Sequence, residues 1–141
     1  MSYFLRYLVI LRYGGVYADI DVKCQKPLEA LIRPTDTMVV GWEVEAPTDE
    51  AALAMGLVRR RQVHQMFFAA APGHPALREV CNDIAAGMAP AFNHNETRTG
   101  TLERYGQGIW TDAVLKHALM QQQAGKVRIS CVILFLILLS Q

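Results

Sequence analysis

The sequence predicts one folded domain of the α/β class, with helices and strands mixed along the chain. Residues 16–22 alternate between apolar and polar side chains, which is the pattern of a half-buried strand. Residues 75–88 place apolar side chains at helical spacing, and Pro75 suits the first turn of that helix. Hydrophobic residues make up 52% of the 141 residues and charged residues 19%, a composition typical of a single globular domain.

The first third of the chain predicts a helix or strand, followed by two strands. Residues 3–12 are apolar except for two arginines, and this short run fits a buried helix as well as a strand. The pair Gly14-Gly15 is typical of a helix C-terminus. Residues 16–22 follow as a strand, residues 29–33 as a short helical turn before Pro34, and residues 37–42 as a second buried strand.

The remainder predicts a loop, a strand and two helices. Residues 46–61 show no apolar period and are predicted to be a long loop, whereas residues 65–71 are predicted to be a third strand. After the helix over residues 75–88, residues 89–101 form a polar loop with a glycosylation sequon at Asn95. Thr111 is predicted to cap a last helix that runs to about residue 123.

Both ends of the chain are apolar. Residues 131–139 are continuously apolar, but they fall short of the ~20 residues that span a bilayer. They are interpreted as a buried strand, with a truncated anchor or a tail from an altered reading frame as alternatives. The N-terminal apolar run is interrupted by Arg6 and lacks the basic region of a cleavable signal, so no targeting segment is predicted.

Charge and cysteine content exclude several classes of protein. The net charge of +1 gives no basic excess, so a nucleic-acid partner is not expected. Three scattered cysteines give neither a disulfide framework nor a zinc-binding pair. Residues 1–50 hold five basic and eight acidic side chains, and this acidic excess makes the first third the candidate region for a cation site.

Asp19 and Asp21 are the side chains best suited to hold such a cation. On a strand, residues i and i+2 point to the same side, and two neighbouring carboxylates repel unless a positive charge lies between them. Their hard oxygen atoms suit Mg²⁺ or Mn²⁺, which can then assist the departure of a phosphate or diphosphate. The alternative is a pair of surface acids at a turn. A phosphatase of the D-x-D-x-[TV] type is disfavoured, because the chain lacks its downstream acidic pair.

The stretch around these carboxylates resembles glycosyltransferase family 32. The family contains the initiation-specific alpha-1,6-mannosyltransferases of fungi and the mannosyltransferases of inositol-phosphoceramide. The motif that carries the resemblance runs from Arg6 to Asp21 and includes residues 13–21, YGGVYADID. Further matched segments follow in the family's order: residues 39–43 (VVGWE), residues 71–75 (APGHP) and residues 105–114 (YGQGIWTDAV). The matched region spans residues 4–128, which covers most of the chain.

The resemblance implies a partial GT-A (Rossmann-like) nucleotide-diphosphosugar transferase domain over residues 1–128, followed by an apolar tail over residues 129–141. It implies transfer of a hexose, with mannose from GDP-mannose as the expected donor, to a hydroxyl of a glycan or glycolipid with retention at the anomeric carbon. Mn²⁺ or Mg²⁺ is the implied cofactor, bound to the donor diphosphate. Golgi or endoplasmic-reticulum membranes, on the lumenal side, are the implied location.

The resemblance also implies roles for individual residues. Asp19 and Asp21 are expected to bind the metal, and both are expected to be catalytic together with Asp112. The expected substrate-binding residues are Arg6, Gly14, Gly15, Tyr17, Glu43, His74 and Trp110. Four of these positions have a structural alternative, namely a strand end for Glu43, a helix N-terminus for Asp112, a turn for His74 and the core for Trp110. No role is assigned to His64, His94 or His117.

The second interpretation is an inactive fragment of such an enzyme that retains only a binding or interaction role. The first strands of a GT-A domain would precede Met1, and the family's N-terminal membrane anchor and C-terminal segment are not matched in this chain. A sheet without those strands is expected to expose edges and apolar helix faces. On that basis the isolated chain is predicted to be poorly soluble and nearly inactive, with membrane association through an anchor or the apolar tail.

Overall fold

A computed structural model describes residues 2–88, 98–121 and 127–130, and it confirms the mixed α/β class. The helices are α1 (Ser2–Tyr13), α2 (Asp49–Ala54), α3 (Pro75–Met88), α4 (Arg98–Tyr105) and α5 (Gln107–Gln121). The strands are β1 (Gly15–Ala18), β2 (Met38–Glu45), β3 (Arg61–Val63), β4 (Phe67–Ala70) and β5 (Val127–Ser130). A 3₁₀ turn, Leu28–Ala30, overlaps the start of the predicted helical turn over residues 29–33.

The first apolar run is a helix, and a glycine ends it. The Gly14 amide donates to the carbonyl oxygen of Ile10 at 2.8 Å, and Gly14 has a φ of 66°. This left-handed conformation closes the helix at little cost for glycine, and the chain then turns directly into β1. The helix therefore ends immediately before the segment that carries the two carboxylates.

The sheet places β4 between β1 and β2. β4 pairs antiparallel with both strands, so β1 and β2 run in the same direction. β3 pairs antiparallel with the second half of β2, whereas β5 pairs with β2 in parallel. The carboxyl ends of β1 and β2 consequently lie at the same end of the sheet, where ligands of open α/β sheets usually bind.

The core lies between one face of the sheet and helices α1, α3 and α5. Tyr7 of α1 stacks on Trp110 of α5 with ring centroids 5.2 Å apart, and Phe68 of β4 lies 4.8 Å from the Trp110 ring. Leu77, Val80 and Ile84 contribute the apolar stripe of α3 that the sequence predicted, and all three are fully buried. A smaller cluster covers the opposite face of the sheet around Val39 and Phe67.

The predicted loop over residues 46–61 is wrong in part, because it contains α2 and leads into β3. The Thr48 hydroxyl accepts a hydrogen bond from the Ala51 amide at 3.2 Å and caps α2, a local signal that outweighs the weak apolar period. Arg61 begins β3 with its guanidinium 3.8 Å above the Trp42 ring, so the last residue of the predicted loop belongs to the sheet.

Two boundaries in the second half also differ from the prediction. Residues 98–101 of the predicted polar loop belong to α4, and α5 begins at Gln107. Thr111 is fully buried inside α5, and its hydroxyl accepts a hydrogen bond from the Val63 amide at 3.1 Å, so it does not cap that helix. The Thr111 hydroxyl instead provides a hydrogen-bond acceptor for the backbone amide at the end of β3.

The C-terminal end of the described chain adds a strand that the sequence analysis did not predict. β5 pairs with β2 from Met38 to Gly41, so residues 127–130 belong to the sheet. The predictions for residues 89–97, including the sequon, and for residues 131–139 fall outside the described residues. Among the described residues, no helix is both long enough and apolar enough to cross a bilayer.

Candidate active site

A tight turn after β1 positions the two aspartates. The Asp19 amide donates to the carbonyl oxygen of Met66 at 2.8 Å, and the Val22 amide donates to the carbonyl oxygen of Asp19 at 3.0 Å. The predicted strand over residues 16–22 therefore ends at Ala18, and Ile20, predicted on the strand's apolar face, is fully exposed. The turn, rather than the alternation of a strand, sets the directions of Asp19 and Asp21.

Asp19 is held by two neighbours that contact the same carboxylate oxygen. The Tyr17 hydroxyl donates to Oδ1 at 2.5 Å, and Nη1 of Arg6 lies 3.3 Å from Oδ1. No contact of Oδ2 is seen within the described part of the chain, and about a third of the side chain is exposed. Asp19 thus keeps one carboxylate oxygen available while its orientation is fixed.

Arg6 links helix α1 to this turn. Its side chain is buried, and Nη1 also donates to the carbonyl oxygen of Gln65 at 3.0 Å. The guanidinium carbon lies 4.7 Å from the centroid of the Tyr17 ring, within range of a cation–π interaction. The positive charge of Arg6 offsets the charge of Asp19 at the site.

Tyr17 acts here as a hydrogen-bond donor. Burial, together with the hydrogen bond to Asp19, raises the pKa of Tyr17 to about 12, although the charge of Arg6 opposes the shift. The hydroxyl therefore stays protonated at neutral pH and keeps its proton directed at Asp19. Tyr17 therefore contacts Asp19 directly, and its substrate-binding role stays a prediction.

Asp21 is exposed at the far end of the turn. Carboxylate oxygens of Asp19 and Asp21 are the hard ligands that Mg²⁺ and Mn²⁺ prefer. Within residues 2–88, 98–121 and 127–130, no group of three or more His, Cys, Asp or Glu side chains forms a metal cage. Two carboxylates fit a cation of this kind, which is commonly held by one or two carboxylates with substrate phosphates and water completing its shell.

The two glycines before the turn have different surroundings. A Cβ atom on Gly14 would lie 2.6 Å from Cδ of Pro72, so the backbone of α1 approaches the residue 71–75 segment closely. A Cβ atom on Gly15 would meet no atom within 4 Å, although its φ of 101° is also positive. Gly14 therefore permits a close backbone approach, and Gly15 leaves open space next to β1.

The structure gives Asp112 a salt-bridge partner. Nε and Nη2 of Arg59 contact the two carboxylate oxygens of Asp112 at 2.9 and 2.6 Å, and Nη1 of Arg59 contacts Glu103 at 2.7 Å. These bonds place Asp112 in an ion-pair network across α4, α5 and the segment before β3. The helix N-terminus alternative is wrong, because α5 begins five residues earlier. A catalytic role for Asp112 stays a prediction.

Three other predicted residues lie in different surroundings. Trp110 is fully buried in the core, and its indole Nε1 donates to the carbonyl oxygen of His64 at 3.1 Å, which favours the core alternative. His74 is buried at the start of α3, where Nδ1 accepts from the Ala76 amide at 3.3 Å, as the turn alternative expected. Glu43 is half-buried on β2, where Gln62 donates to its Oε2 at 2.6 Å.

Sequence spacing missed His64 and Gln65, which the fold brings to the Asp19 side of the sheet. Both are 3% exposed, and Gln65 donates to the Tyr7 hydroxyl at 2.6 Å. Neither ring nitrogen of His64 has a hydrogen-bond partner among the described residues. Burial lowers the pKa of His64 to about 4 despite the opposing charge of Asp19, so its ring is neutral at pH 7. The only signal in the sequence was a polar pair between two apolar strands.

The buried His74 predicts a pH dependence of stability. Burial, with a smaller contribution from His117, lowers the pKa of His74 to about 4, whereas an unfolded histidine titrates near 6.5. The stability contributed by neutral His74 is complete above pH 6.5 and is lost as the pH falls towards 4, because the unfolded chain then binds the extra proton. Urea unfolding should therefore show a larger loss between pH 7 and pH 5 in the wild type than in His74→Asn, by about 2 kcal/mol.

Asparagine is the matched replacement because its side chain can still accept the Ala76 amide at the helix start and does not titrate. His64 is present in both proteins, so its own titration cancels in the difference. Equal pH slopes for the wild type and His74→Asn would show that His74 titrates normally in the folded chain.

Other proteins are similar to this chain, including the segment that contains the turn. Residues 1–39, which contain the turn, match the family described as a glycosyltransferase sugar-binding region containing a DXD motif. An initiation-specific alpha-1,6-mannosyltransferase of Schizosaccharomyces pombe is 34% identical over 122 residues, covering 81% of this chain and 30% of that protein. The protein of the same name from Candida albicans is 31% identical, covering 81% of this chain and 34% of its own length.

A third similar protein has a different name. Inositol phosphoceramide mannosyltransferase 1 of Schizosaccharomyces pombe is 27% identical over 89 residues, covering 63% of this chain and 21% of its own length. The chain spans about a third or less of these curated relatives. The family match and the mixed α/β sheet support a GT-A-like domain. The chain is therefore similar to the glycosyltransferases whose sugar-binding region contains a DXD motif, the group that residues 13–21 indicated.

Proposed function

We propose that this chain carries the donor-binding part of a glycosyltransferase that moves mannose from GDP-mannose to a hydroxyl group of a glycan or glycolipid, with retention. The observation that carries the proposal is the Asp19 carboxylate, held by Arg6 and Tyr17 inside the segment that matches the family. Mannose as the sugar is suggested by relatives named as mannosyltransferases. A nucleotide-sugar donor and a glycan or glycolipid acceptor are the partners that this function requires.

In this proposal the chain's own residues prepare a site for a charged diphosphate. The Tyr17 hydroxyl and the Arg6 guanidinium fix Oδ1 of Asp19. These contacts restrict the side-chain rotamers of Asp19, so Oδ2 keeps a defined direction. Asp21 supplies the second carboxylate from the exposed end of the same turn. The open space beside Gly15 leaves room for a ligand to approach the backbone of β1.

A divalent cation fits the donor set of this turn. Asp19 and Asp21 are the residues that would hold it, and Mn²⁺ or Mg²⁺ would neutralise charge on the departing diphosphate when bound. Asp112, Glu43, His74 and Trp110 are not needed for this part of the proposal, since each has the structural contact described above. The location proposed for the protein is the lumenal side of Golgi or endoplasmic-reticulum membranes, on the strength of the family resemblance alone.

Metal removal tests the proposal. Purified chain incubated with GDP-mannose and Mn²⁺ is expected to release mannose and GDP through slow transfer to water, and excess EDTA should abolish that release. Restoring Mn²⁺ in excess over EDTA should restore the rate, which separates metal loss from protein damage. Release that is unchanged by EDTA, or that occurs equally with UDP-glucose, would contradict a metal-dependent mannosyl donor site. A chain that binds GDP-mannose with Mn²⁺ without releasing mannose would support the binding-fragment alternative.

A further inference from the structure

A cleft opens at the same end of the sheet as the aspartate turn. It has a volume of ≈ 350 Å³, which is at the lower end of the range for small-molecule sites. Its walls come from β2, β3, the end of α2 and the region where α4 meets α5. The lining side chains of interest are Glu43, Met55, Leu57, Gln62, Leu102 and Gln107.

The polar wall of this cleft is built and held in place. Gln62 is 3% exposed; its Nε2 donates to Oε2 of Glu43 at 2.6 Å, and its Oε1 accepts from the Val58 amide at 3.2 Å. Oε1 of Glu43 has no hydrogen-bond partner among the described residues, and burial raises the pKa of Glu43 although the bond from Gln62 opposes this shift. The buried Oε1 of Gln107 likewise has no partner within the described chain. Such groups usually find a ligand or water to bond.

An ion-pair network fixes the cleft walls relative to one another. Arg59 follows Val58 and bonds Glu103 of α4 and Asp112 of α5. The segment that holds Gln62 is thereby tied to both helices that form the opposite wall. The cleft is consequently a pre-formed feature of the fold rather than a gap between loosely packed elements.

The chemistry of the walls selects a class of ligand. Among the described residues no lysine or arginine lines the cleft, and Glu43 carries a negative charge, so a phosphate group is disfavoured there. A carboxylate and two amide groups can accept and donate hydrogen bonds to neighbouring hydroxyls. Met55, Leu57 and Leu102 offer apolar surface for carbon–hydrogen faces. This combination fits an uncharged, polyhydroxylated ring, that is, a pyranose sugar.

The position of the cleft relates it to the donor turn. β1 and β2 run parallel with only β4 between them, so Asp19 and Glu43 lie at the same end of the sheet. Gln62 of the cleft and Met66, whose carbonyl oxygen binds the Asp19 amide, are four residues apart. Four extended residues span at most about 14 Å. The backbone positions that anchor the cleft and the turn are therefore no more than about 14 Å apart.

We propose that the cleft between Glu43, Gln62 and Gln107 binds a sugar ring of the acceptor. The identification of the bound sugar as the acceptor rests on the proposed function, whereas sugar binding itself rests on the cleft alone. Glu43 and Gln62 act as a pair, because Gln62 fixes one carboxylate oxygen and leaves the other to accept a sugar hydroxyl. The acceptor is thus a mannoside or a similar neutral glycoside rather than a lipid phosphate.

Methyl α-D-mannopyranoside is the probe, titrated into the ¹⁵N-labelled chain without metal or nucleotide. Saturable chemical-shift changes are expected at Gln62 and Gln107, and Glu43→Gln should weaken binding by at least about tenfold. Glu45→Gln is the matched control, since Glu45 is an exposed neighbour on β2 paired with Arg61. Met55→Trp places a bulky ring at an exposed cleft position and should block binding without disturbing the core.

Saturable binding that both Glu43→Gln and Met55→Trp weaken, while Glu45→Gln does not, supports the proposal. No saturable shifts in the folded wild-type chain, or equal binding in all three variants, overturns it. Metal-dependent release from GDP-mannose without mannoside binding would reject only the cleft, whereas mannoside binding without any donor binding would reject only the proposed donor site.

Discussion

Asp21→Asn is expected to lower Mn²⁺-dependent release of mannose from GDP-mannose by at least about 100-fold. Asp21 is exposed on the turn after β1, so the loss removes a charged oxygen ligand without removing a packing contact. Replacing a direct metal ligand should cost at least as much as the 10- to 100-fold loss typical of its supporting hydrogen bonds. The free energy of unfolding should change by less than about 0.5 kcal/mol, as for other exposed substitutions.

Asp83→Asn is the matched control, because Asp83 is an exposed aspartate on α3 away from the turn. It should leave the metal-dependent rate unchanged within twofold. Urea unfolding of both variants and GDP-mannose turnover at several Mn²⁺ concentrations are the measurements. If Asp21→Asn and the wild type released mannose at the same rate at the same Mn²⁺ concentration, Asp21 would not bind the metal.

Gly14→Ala is expected to destabilise the chain by about 3 kcal/mol, the largest loss of stability among the changes considered. The left-handed φ of 66° disfavours alanine by about 1 kcal/mol or more. The added Cβ would also lie 2.6 Å from Cδ and 2.8 Å from the backbone nitrogen of Pro72, and neither can move without shifting the turn before α3. Overpacking of this kind typically costs a further 1–3 kcal/mol.

Gly56→Ala isolates the steric part of that prediction. Gly56 has a nearly identical φ of 73°, but no atom lies within 4 Å of an added Cβ. Its substitution should cost only about 1 kcal/mol, the conformational contribution. The difference between the two variants in urea unfolding measures the contact with Pro72. Equal losses for both would mean that α1 does not pack closely against that turn.

The sequence predicted the site best where local chemistry controls the backbone. Gly14 had to accommodate a sharp chain reversal, and the structure shows both its left-handed φ and its closeness to Pro72. The apolar stripe of α3 followed directly from spacing, because a buried helix face needs residues of that period. The segment containing Asp19 and Asp21 stood out for its residue types, and similar proteins support its family assignment.

The rest depended on contacts between distant segments. No spacing rule could pair Arg59 with Asp112, 53 residues away, although that ion pair changes how Asp112 is interpreted. The period-two pattern over residues 16–22 also predicted too long a strand for β1, since the bond from the Val22 amide to the carbonyl oxygen of Asp19 closes a turn after Ala18. His64 could not be identified from the sequence either. Its pKa is lowered by burial in the folded chain, and its neighbours in sequence do not predict that burial.

Binding of Mn²⁺ itself is the most direct test of the central claim that Asp19 and Asp21 hold the catalytic metal. Electron paramagnetic resonance of free aqueous Mn²⁺ should lose intensity as the wild-type chain and GDP are added together. The double variant Asp19→Asn, Asp21→Asn should leave the free signal nearly unchanged, and Asp83→Asn should behave like the wild type. An equal loss of free signal with the wild type and the double variant would contradict the account, because the metal would then be bound elsewhere.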